Sequence, residues 1–298
     1  MKKILIIGGE GQLGSTLTEQ SDKIKWGEFS HTTVDTLDLM DSSAIRNYFK
    51  TKTFDFIINC TAYTAVDRAE TDAVAAWRLN AEAPGELAAE AARMGAHFVH
   101  ISTDYVFGGT HSRPLKPEDS KTPDSVYGKS KLQGEEDVLR QQPQSIIIRT
   151  SWLYSVYGKN FLKTMLQLGK ERDSLNVVFD QVGTPTLADD LANTILSIIE
   201  KVIKGEKQFT PGVYHFSNEG VCSWYDFTKA IFHETGISCN VLPVESDQFP
   251  TAAPRPSFSV MDKSKIKQTF DIEIPHWQDS LRKCIKKLDD ATTGEFPN

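Results

Sequence analysis

The 298-residue sequence predicts an α/β protein built on a doubly wound parallel sheet, with a smaller C-terminal α/β domain interleaved in sequence. Three observations predict this fold. Short, continuous apolar runs such as Ile4 to Ile7 are typical of strands buried on both faces of a parallel sheet. Helical segments alternate with these runs as far as Thr150, which indicates right-handed crossovers. A glycine-rich turn follows the first run directly.

Composition and charge argue against several classes of protein. The net charge is −7 and the pI is about 5.6, which argues against a basic surface for nucleic acid or anionic lipid. No apolar run reaches the ~18 residues of a membrane span, and the run after Lys3 is too short for a signal-peptide core. The four cysteines form no Cys-x-x-Cys pair. We therefore expect a cytoplasmic protein with free thiols, one disulfide being the alternative.

The turn after the first strand predicts a dinucleotide site. Residues 8 to 14 read GGEGQLG, a Gly-x-x-Gly-x-x-Gly pattern between a strand and a helix that continues through Leu17. Gly8 permits the tight turn, Gly11 lets the backbone approach a pyrophosphate, and Gly14 lets the helix lie close to the strand. The helix N-terminus offers free N–H groups to the phosphates. An ordinary glycine turn is the alternative.

The second strand is predicted between Trp26 and Val34. Dinucleotide-binding sheets often carry an acid at the end of this strand, where it holds the adenosine ribose and rejects a 2′-phosphate. The segment from Ser30 to Asp35 places no acid unambiguously at that position. NADPH and NADH are therefore both permitted. Asp38 is a candidate adenine contact, or alternatively the cap of a helix predicted from Ser42 to Lys50.

The third strand, Asp55 to Cys60, leads into a segment of small residues from Thr61 to Asp67. These leave room for a cofactor at the carboxyl edge of the sheet. The segment from Ala73 to Met94 predicts a helix that breaks or restarts at Pro84. Asn80 within it is either a structural cap or kink partner or a member of a proton relay.

The fourth strand, Ala96 to Ser102, brings Ser102-Thr103-Asp104 to the same edge of the sheet. His97 and His100 are three residues apart on this strand, so they point to opposite faces, which argues against a shared metal site. The loop from Gly108 to Ser125 is rich in glycine, proline and charge. It is a candidate lid over the substrate.

Tyr127 and Lys131 are four residues apart in a helix predicted from Tyr127 to Arg140, so they share one helix face. Phenol ionises near pH ~10, which is too high for acid–base work at neutral pH. An ammonium one turn away is expected to lower the pKa of Tyr127 and let it exchange a proton with a substrate oxygen. The Thr103 hydroxyl would contact the same oxygen. A chance pair with a solvated lysine is the alternative.

A strand from Ile146 to Thr150 completes the alternating part, and the pattern loosens after Ser151. We expect residues 1–150 to form a Rossmann dinucleotide-binding domain, with later returns near 187–216, and residues 151–186 and 217–298 to form mainly a substrate-binding domain. The aromatic segment from Trp152 to Asn160 is a candidate substrate wall. The C-terminal half predicts helices at 161–170, 187–204, 224–235 (capped by Ser223), 262–269 and 277–288, a strand at 214–216, irregular chain at 243–256 and a frayed tail at 289–298.

Three motifs together resemble the extended short-chain dehydrogenase/reductase family: Gly8-x-x-Gly11-x-x-Gly14, Ser102-Thr103-Asp104 and Tyr127-x-x-x-Lys131. Further stretches are similar to the dTDP-4-dehydrorhamnose reductases of that family. They lie in order and at matching spacing, at residues 59–70, 102–107, 149–154 and 160–161. The similarity extends from residue 1 to about residue 285.

The resemblance implies that Tyr127 is the proton donor, that Lys131 tunes it and holds the nicotinamide ribose, and that Thr103 assists. It implies reduction of dTDP-4-dehydro-L-rhamnose at C4 by NADPH or NADH, which gives dTDP-L-rhamnose, a cell-wall polysaccharide precursor. The contacts that it implies are cofactor contacts at Gly11, Gln12, Leu13, Asp38, Leu39, Ala62, Tyr63 and Thr64, and substrate contacts at Thr103, Asp104 and Trp152.

Some features depart from the family or stay open. Certain members hold magnesium at a dimer contact through acids, one of which lies on the helix after the glycine loop; here that helix has no acid before Glu19, so we expect no metal, while a homodimer stays possible. Arg255 pairs either with the substrate diphosphate or with a surface carboxylate.

A non-catalytic regulatory subunit and a nucleotide-sugar epimerase or dehydratase are the alternative functions. Intact Thr103, Tyr127 and Lys131 argue against the first, and Asp104-Tyr105 without a glutamate argues against a dehydratase.

Overall fold

A computed structural model describes residues 1–108 and 111–293 of the chain. Its strands, in chain order, are β1 Lys2–Ile7, β2 Gly27–Thr32, β3 Phe56–Asn59, β4 His97–Thr103, β5 Ile146–Thr150, β6 Leu153–Tyr154, β7 Ser174–Val178, β8 Val182–Gly183, β9 Thr186–Leu187, β10 Gly212–His215, β11 Cys222–Ser223 and β12 Asn240–Val244. Its α-helices are α1 Gln12–Ser21, α2 Ser42–Phe49, α3 Val66–Ala69, α4 Ala73–Trp77, α5 Ala83–Met94, α6 Val126–Gln141, α7 Phe161–Glu171, α8 Ala188–Ile203, α9 Trp224–Thr235, α10 Ser264–Phe270 and α11 Trp277–Thr293.

Six parallel strands form the central sheet in the order β10-β5-β4-β3-β1-β2. The strand order reverses at β1, which has β2 on one side and β3 on the other. Ligands of such sheets bind where the order reverses, outside the carboxyl ends of the strands. The predicted doubly wound parallel sheet is confirmed, and this edge is where its ligand site is expected.

Alternate side chains of the strands bury opposite faces of the sheet. In β1, Ile4 and Ile6 pack into a core with side chains of α1, α8 and α10, whereas Leu5 and Ile7 pack into a second core with side chains of α2 and α5. Both faces are covered by helices, which explains why the strands read as continuous apolar runs.

A separate apolar cluster lies in the C-terminal part of the chain. Side chains of α7, α9 and α11 pack there with β7 and β12, which pair in parallel. Tyr154, Phe227 and Trp277 are among its buried members, and the rings of Tyr154 and Phe227 lie 5.3 Å apart between centroids. The predicted cap of α9 is present as a capping box between Ser223 and Asp226.

Some local predictions needed correction. The predicted restart at Pro84 is confirmed, since α5 begins at Ala83 with the proline in its first turn, but the segment before it, Arg78–Glu82, is a π-helical turn rather than α-helix. The cap of α2 is Asp41, whose carboxylate accepts from the Ser43 N–H, so the alternative cap role of Asp38 is wrong. Pro243 lies in β12 rather than in irregular chain.

Other predictions meet the limits of the described chain. The predicted lid includes residues 109 and 110, which lie outside the described residues. The tail prediction is wrong for residues 289–293, which belong to α11; residues 294–298 are not described. All four cysteines are free thiols. Among the described residues, none of the helices is long and apolar enough to cross a membrane.

Candidate active site

A cavity of about 830 Å³ lies at the carboxyl edge of the sheet, where the strand order reverses. Its walls come from the glycine loop, the ends of β3, β4 and β5, the start of α6 and the segment after β5. The sequence-predicted residues that line it are Gly8, Gly11, Gln12, Leu13, Asp38, Leu39, Ala62, Thr64, Thr103, Asp104, Tyr127, Lys131 and Trp152. Gly14, Tyr63 and Arg255 are not among the lining residues.

The glycine loop has the conformation that its sequence requires. Gly8 has φ of +86°, a region that favours glycine, and a Cβ there would lie 2.6 Å from Thr61 Cγ2. A Cβ on Gly14 would lie 1.9 Å from the Gly8 carbonyl oxygen, so this glycine lets α1 pack against β1. The N-cap Gly11 makes no side-chain capping bond. The first N–H groups of α1 therefore have no capping side chain, and the residues that carry them line the cavity.

The segment after β3 lines the cavity with Thr61, Ala62 and Thr64 but not with Tyr63. The Tyr63 hydroxyl donates to Asp72 at 3.0 Å. The Tyr63 backbone N–H donates to Asn80 Oδ1, and the Asn80 amide donates to the Tyr63 carbonyl and to the Ser130 hydroxyl. Asn80 therefore clamps this segment against α6, which favours its structural interpretation over a relay.

Tyr127 and Lys131 are buried side by side on α6. Burial raises the pKa of Tyr127 to about 12, against the opposing effect of the Thr103 hydroxyl. The Lys131 ammonium donates to the Ile101 carbonyl at 2.7 Å, and burial lowers its pKa to about 8. The expectation that Lys131 lowers the pKa of Tyr127 is wrong for this structure, because burial raises that pKa and the group that opposes the rise is the Thr103 hydroxyl.

Thr103 ends β4, Asp104 follows it, and both line the cavity. The Thr103 hydroxyl donates to Asp104 Oδ1 at 3.0 Å and accepts from the Tyr105 N–H. Burial raises the pKa of Asp104 to about 6, although hydroxyls of Ser259 and Thr103 favour its charged form. The carboxyl group thus changes charge within the physiological pH range.

An aromatic pair forms one wall of the cavity. Trp152 stacks on Trp224 with 3.5 Å between ring centroids and an angle of 9° between the planes. Trp152 has φ of 47°, which is rare for a bulky residue, and a Cβ on Gly183 would lie 2.8 Å from its indole. The sequence predicted Trp152 but missed Trp224, which begins a helix far along the chain.

Sequence analysis also missed a buried ion pair beneath the site. Arg149 on β5 and Glu135 on α6 form two hydrogen bonds of 2.6 and 2.8 Å, and both side chains are at most 3% exposed. Glu135 also accepts from the Ser102 hydroxyl at 2.5 Å. The sequence feature that could have revealed this ion pair is an arginine within the apolar run of β5. Because Ser102 precedes Thr103, the pair supports the end of β4.

Arg255 has a carboxylate partner. Its guanidinium forms two hydrogen bonds of 2.6 and 2.8 Å with Asp67, and Asp67 also accepts from the Ala253 N–H. Arg255 holds the pKa of Asp67 below its ordinary value.

Glu19, the first acid on the helix after the glycine loop, pairs with a lysine. Its Oε2 lies 2.6 Å from Lys287 Nζ. Within residues 1–108 and 111–293, no cluster of three or more metal-ligating side chains is found.

A glycine loop and a buried tyrosine–lysine pair that line one cavity are the arrangement of the short-chain dehydrogenases/reductases, and the protein is of that class. Comparison with known proteins narrows the assignment. The model of the RmlD substrate binding domain family matches residues 1–290, so the chain belongs to that family.

Relatives of similar length support this assignment. The dTDP-4-dehydrorhamnose reductase of Aggregatibacter actinomycetemcomitans is 40% identical, over 95% of this chain and 98% of that protein. The spore coat polysaccharide biosynthesis protein SpsK of Bacillus subtilis is 36% identical, over 98% of this chain and 99% of that protein.

Solved structures agree with the sequence comparison. The crystal structure of a dTDP-4-dehydrorhamnose reductase from Clostridium acetobutylicum has a TM-score of 0.90 and 42% identity, over 96% of this chain and 99% of that one. The reductase from Bacillus anthracis, solved in complex with NADP, has a TM-score of 0.88 and 35% identity, over 96% and 99%.

Proposed function

We propose that the protein reduces the C4 keto group of dTDP-4-dehydro-L-rhamnose with NADPH or NADH, which yields dTDP-L-rhamnose. The observation that carries this proposal is the cavity in which Thr103, Tyr127 and Lys131 meet the glycine loop. Relatives named for this reaction match nearly the whole chain.

The residues along the sheet edge fit a nicotinamide dinucleotide. Gly11, the N-cap of α1, has no side chain to cover the start of the helix, where phosphates are held by N–H groups and the helix dipole. Asp38 and Leu39 would hold the adenosine end, and Ala62 and Thr64 leave room for the rest of the cofactor. The B. anthracis relative was solved with NADP. These residues are therefore proposed to bind NADPH or NADH.

The protein's own side chains are proposed to supply the proton and to orient the substrate and the cofactor. When bound, the nicotinamide supplies the hydride that reaches C4. Tyr127 keeps its proton at neutral pH because its pKa is about 12, so it can act as the acid that protonates the carbonyl oxygen. The Thr103 hydroxyl assists at the same oxygen, and Lys131 is proposed to hold the nicotinamide ribose.

The opposite wall of the cavity is proposed to bind the sugar. Asp104 can accept hydrogen bonds from sugar hydroxyls, and the stacked indoles of Trp152 and Trp224 offer an apolar face to the sugar ring. The C-terminal apolar cluster supports Trp224 through α9. This arrangement supports the proposed division into a dinucleotide domain, residues 1–150 with returns near 187–216, and a substrate domain formed mainly by 151–186 and 217–298.

The glycine loop allows a matched pair of substitutions. Gly14→Ala is expected to lower the free energy of unfolding by about 1–3 kcal/mol, because its Cβ would collide with the Gly8 carbonyl. Gly11→Ala should leave stability nearly unchanged, since its Cβ would lie 3.4 Å from that oxygen, yet raise the Kd for NADPH at least about tenfold. Thermal melting and cofactor fluorescence titration measure the two effects. Equal stability of both variants would contradict this assignment.

Arg255 is proposed to bind the substrate diphosphate from its place beside Asp67. Arg255→Ala should raise the KM for the nucleotide sugar about tenfold with little change in kcat, because a charge-assisted bond to phosphate is lost. Asp67→Asn is the matched control, since it breaks the ion pair but keeps the guanidinium. Steady-state kinetics of both variants give the KM for the nucleotide sugar and kcat, which test the diphosphate role. An unchanged KM in Arg255→Ala, or an equal rise in Asp67→Asn, would remove the diphosphate role.

The proposed activity is tested directly with purified protein. The assay follows loss of nicotinamide absorbance with NADPH or NADH and freshly generated dTDP-4-dehydro-L-rhamnose. No turnover with either cofactor would refute the reductase function and leave the regulatory-subunit alternative. Two further expectations belong to this proposal, a cytoplasmic location and a possible homodimer. Sedimentation velocity of the purified protein tests the second.

A further inference from the structure

Two fully buried polar side chains lie behind Lys131 on neighbouring strands. Asn59 ends β3 and His100 lies in β4, and the two residues are paired in register. Asn59 Nδ2 lies 3.1 Å from His100 Nδ1, and His100 Nε2 lies 3.5 Å from Lys131 Nζ. The side chains therefore form a continuous buried chain from the end of β3 to the lysine.

The orientation of Asn59 is fixed by Thr61. Asn59 Oδ1 lies 3.1 Å from the Thr61 backbone N and 2.6 Å from the Thr61 hydroxyl. A backbone N–H can only donate, so the atom that faces it must be the amide oxygen. The amide NH₂ of Asn59 consequently points at His100 Nδ1.

This orientation determines the tautomer of His100. An NH₂ group can only donate, so His100 Nδ1 must accept. Burial and the charge of Lys131 keep the pKa of His100 well below its ordinary value, so the ring is neutral. A neutral ring that accepts at Nδ1 carries its hydrogen at Nε2, the nitrogen that faces Lys131.

We propose that His100 is a positioning residue for Lys131, held by Thr61 and Asn59 in the tautomer whose Nε2–H points at the lysine amine. An N–H hydrogen directed at an ammonium disfavours that ammonium, whereas it can donate to a neutral amine. The Ile101 carbonyl, 2.7 Å away, holds Lys131 in place in either state. The proposal rests on the proposed function, because it assigns a partner to the lysine of that site.

The other ionisable groups around Lys131 do not disfavour its ammonium form in this way. Glu135 lies one turn further along α6 and raises the pKa of Lys131, but its carboxylate is shared with Arg149 and Ser102. Tyr127 lies one turn earlier on the same helix and has a raised pKa, so it carries no charge at neutral pH. His100 is the imidazole that β4 presents to the amine.

The chain also reaches the proposed cofactor site. Thr61 lines the cavity, and its Cγ2 fills the space that a Cβ on Gly8 would occupy. A change in the glycine loop therefore acts on the residue that orients Asn59. Thr61 therefore connects the glycine loop with the chain of side chains that reaches Lys131.

The tautomer is measured by ¹⁵N NMR of histidine-labelled protein, without any turnover. In the wild type, His100 Nδ1 should be of the unprotonated type and Nε2 of the protonated type, with the signals assigned by their loss in His100→Gln. Asn59→Asp replaces the NH₂ donor by an oxygen acceptor, so Nδ1 should become protonated. A protonated Nδ1 in the wild type, or unchanged signals in Asn59→Asp, would overturn the proposal.

The pH dependence of kcat tests the same proposal by kinetics. In Asn59→Asp, the alkaline limb of kcat should move to higher pH by at least about one unit, the size of shift that a nearby charge and a new acceptor produce. His97→Gln, on the opposite face of the same strand, should leave the profile unchanged. If the alkaline limb does not move in Asn59→Asp, His100 does not control the protonation state of Lys131. If the wild type shows no turnover, the proposed function fails, while the NMR result still decides the tautomer.

Discussion

Replacement of Tyr127 by phenylalanine is expected to lower kcat by at least about 10²-fold, the usual effect of removing a general acid. The ring stays in place, since it packs with Ala69 and Ala76 in a small buried cluster. Only the hydroxyl that is proposed to protonate the carbonyl oxygen is lost. Single-turnover kinetics with NADPH measure the chemical step, and thermal melting verifies that the variant is folded.

Tyr154→Phe is the matched control for this experiment. Tyr154 is buried like Tyr127, with 1% against 8% exposure, but it lies in the C-terminal apolar cluster and not among the cavity-lining residues. Its variant should retain wild-type kcat within about twofold, since no acid is lost. Undiminished turnover in Tyr127→Phe would refute the proposed mechanism. A comparable loss in Tyr154→Phe would show that the assay responds to packing.

Local patterns in the sequence predicted most of the fold. The apolar runs of β1, β3 and β5 predict strands buried on both faces, and the start of α9 is predicted by its Ser223 cap. The three glycines gave the loop geometry, because backbone conformation depends on the residue itself. These features are set within about ten residues of chain.

The site was harder to predict because its properties depend on distant residues. The sign of the Tyr127 pKa shift follows from how much of the chain buries it, and spacing to Lys131 contains no information about that burial. Trp224 meets Trp152 only through the packing of the C-terminal cluster. The contacts of His100 likewise require the register between β3 and β4.

The buried ion pair beneath β4 is expected to produce the largest effect on stability. Arg149→Met should lower the free energy of unfolding by about 3–5 kcal/mol, because Glu135 would remain buried and charged without its partner. The guanidinium also donates to the Pro117 carbonyl at 3.0 Å and lies over the ring of Phe107. Urea denaturation followed by fluorescence measures the loss.

The double variant Arg149→Met/Glu135→Leu separates charge from packing. It removes both buried charges, so it should be clearly more stable than Arg149→Met, as apolar replacement of a buried pair is often neutral. Its kcat should nevertheless stay below that of the wild type, because the Ser102 hydroxyl loses Glu135 as its acceptor and Thr103 is the next residue. A double variant whose loss of stability equals the sum of the two single losses would show that the two charges do not stabilise each other. The pair is therefore expected to have two separable effects, one on folding through charge compensation and one on catalysis through the end of β4.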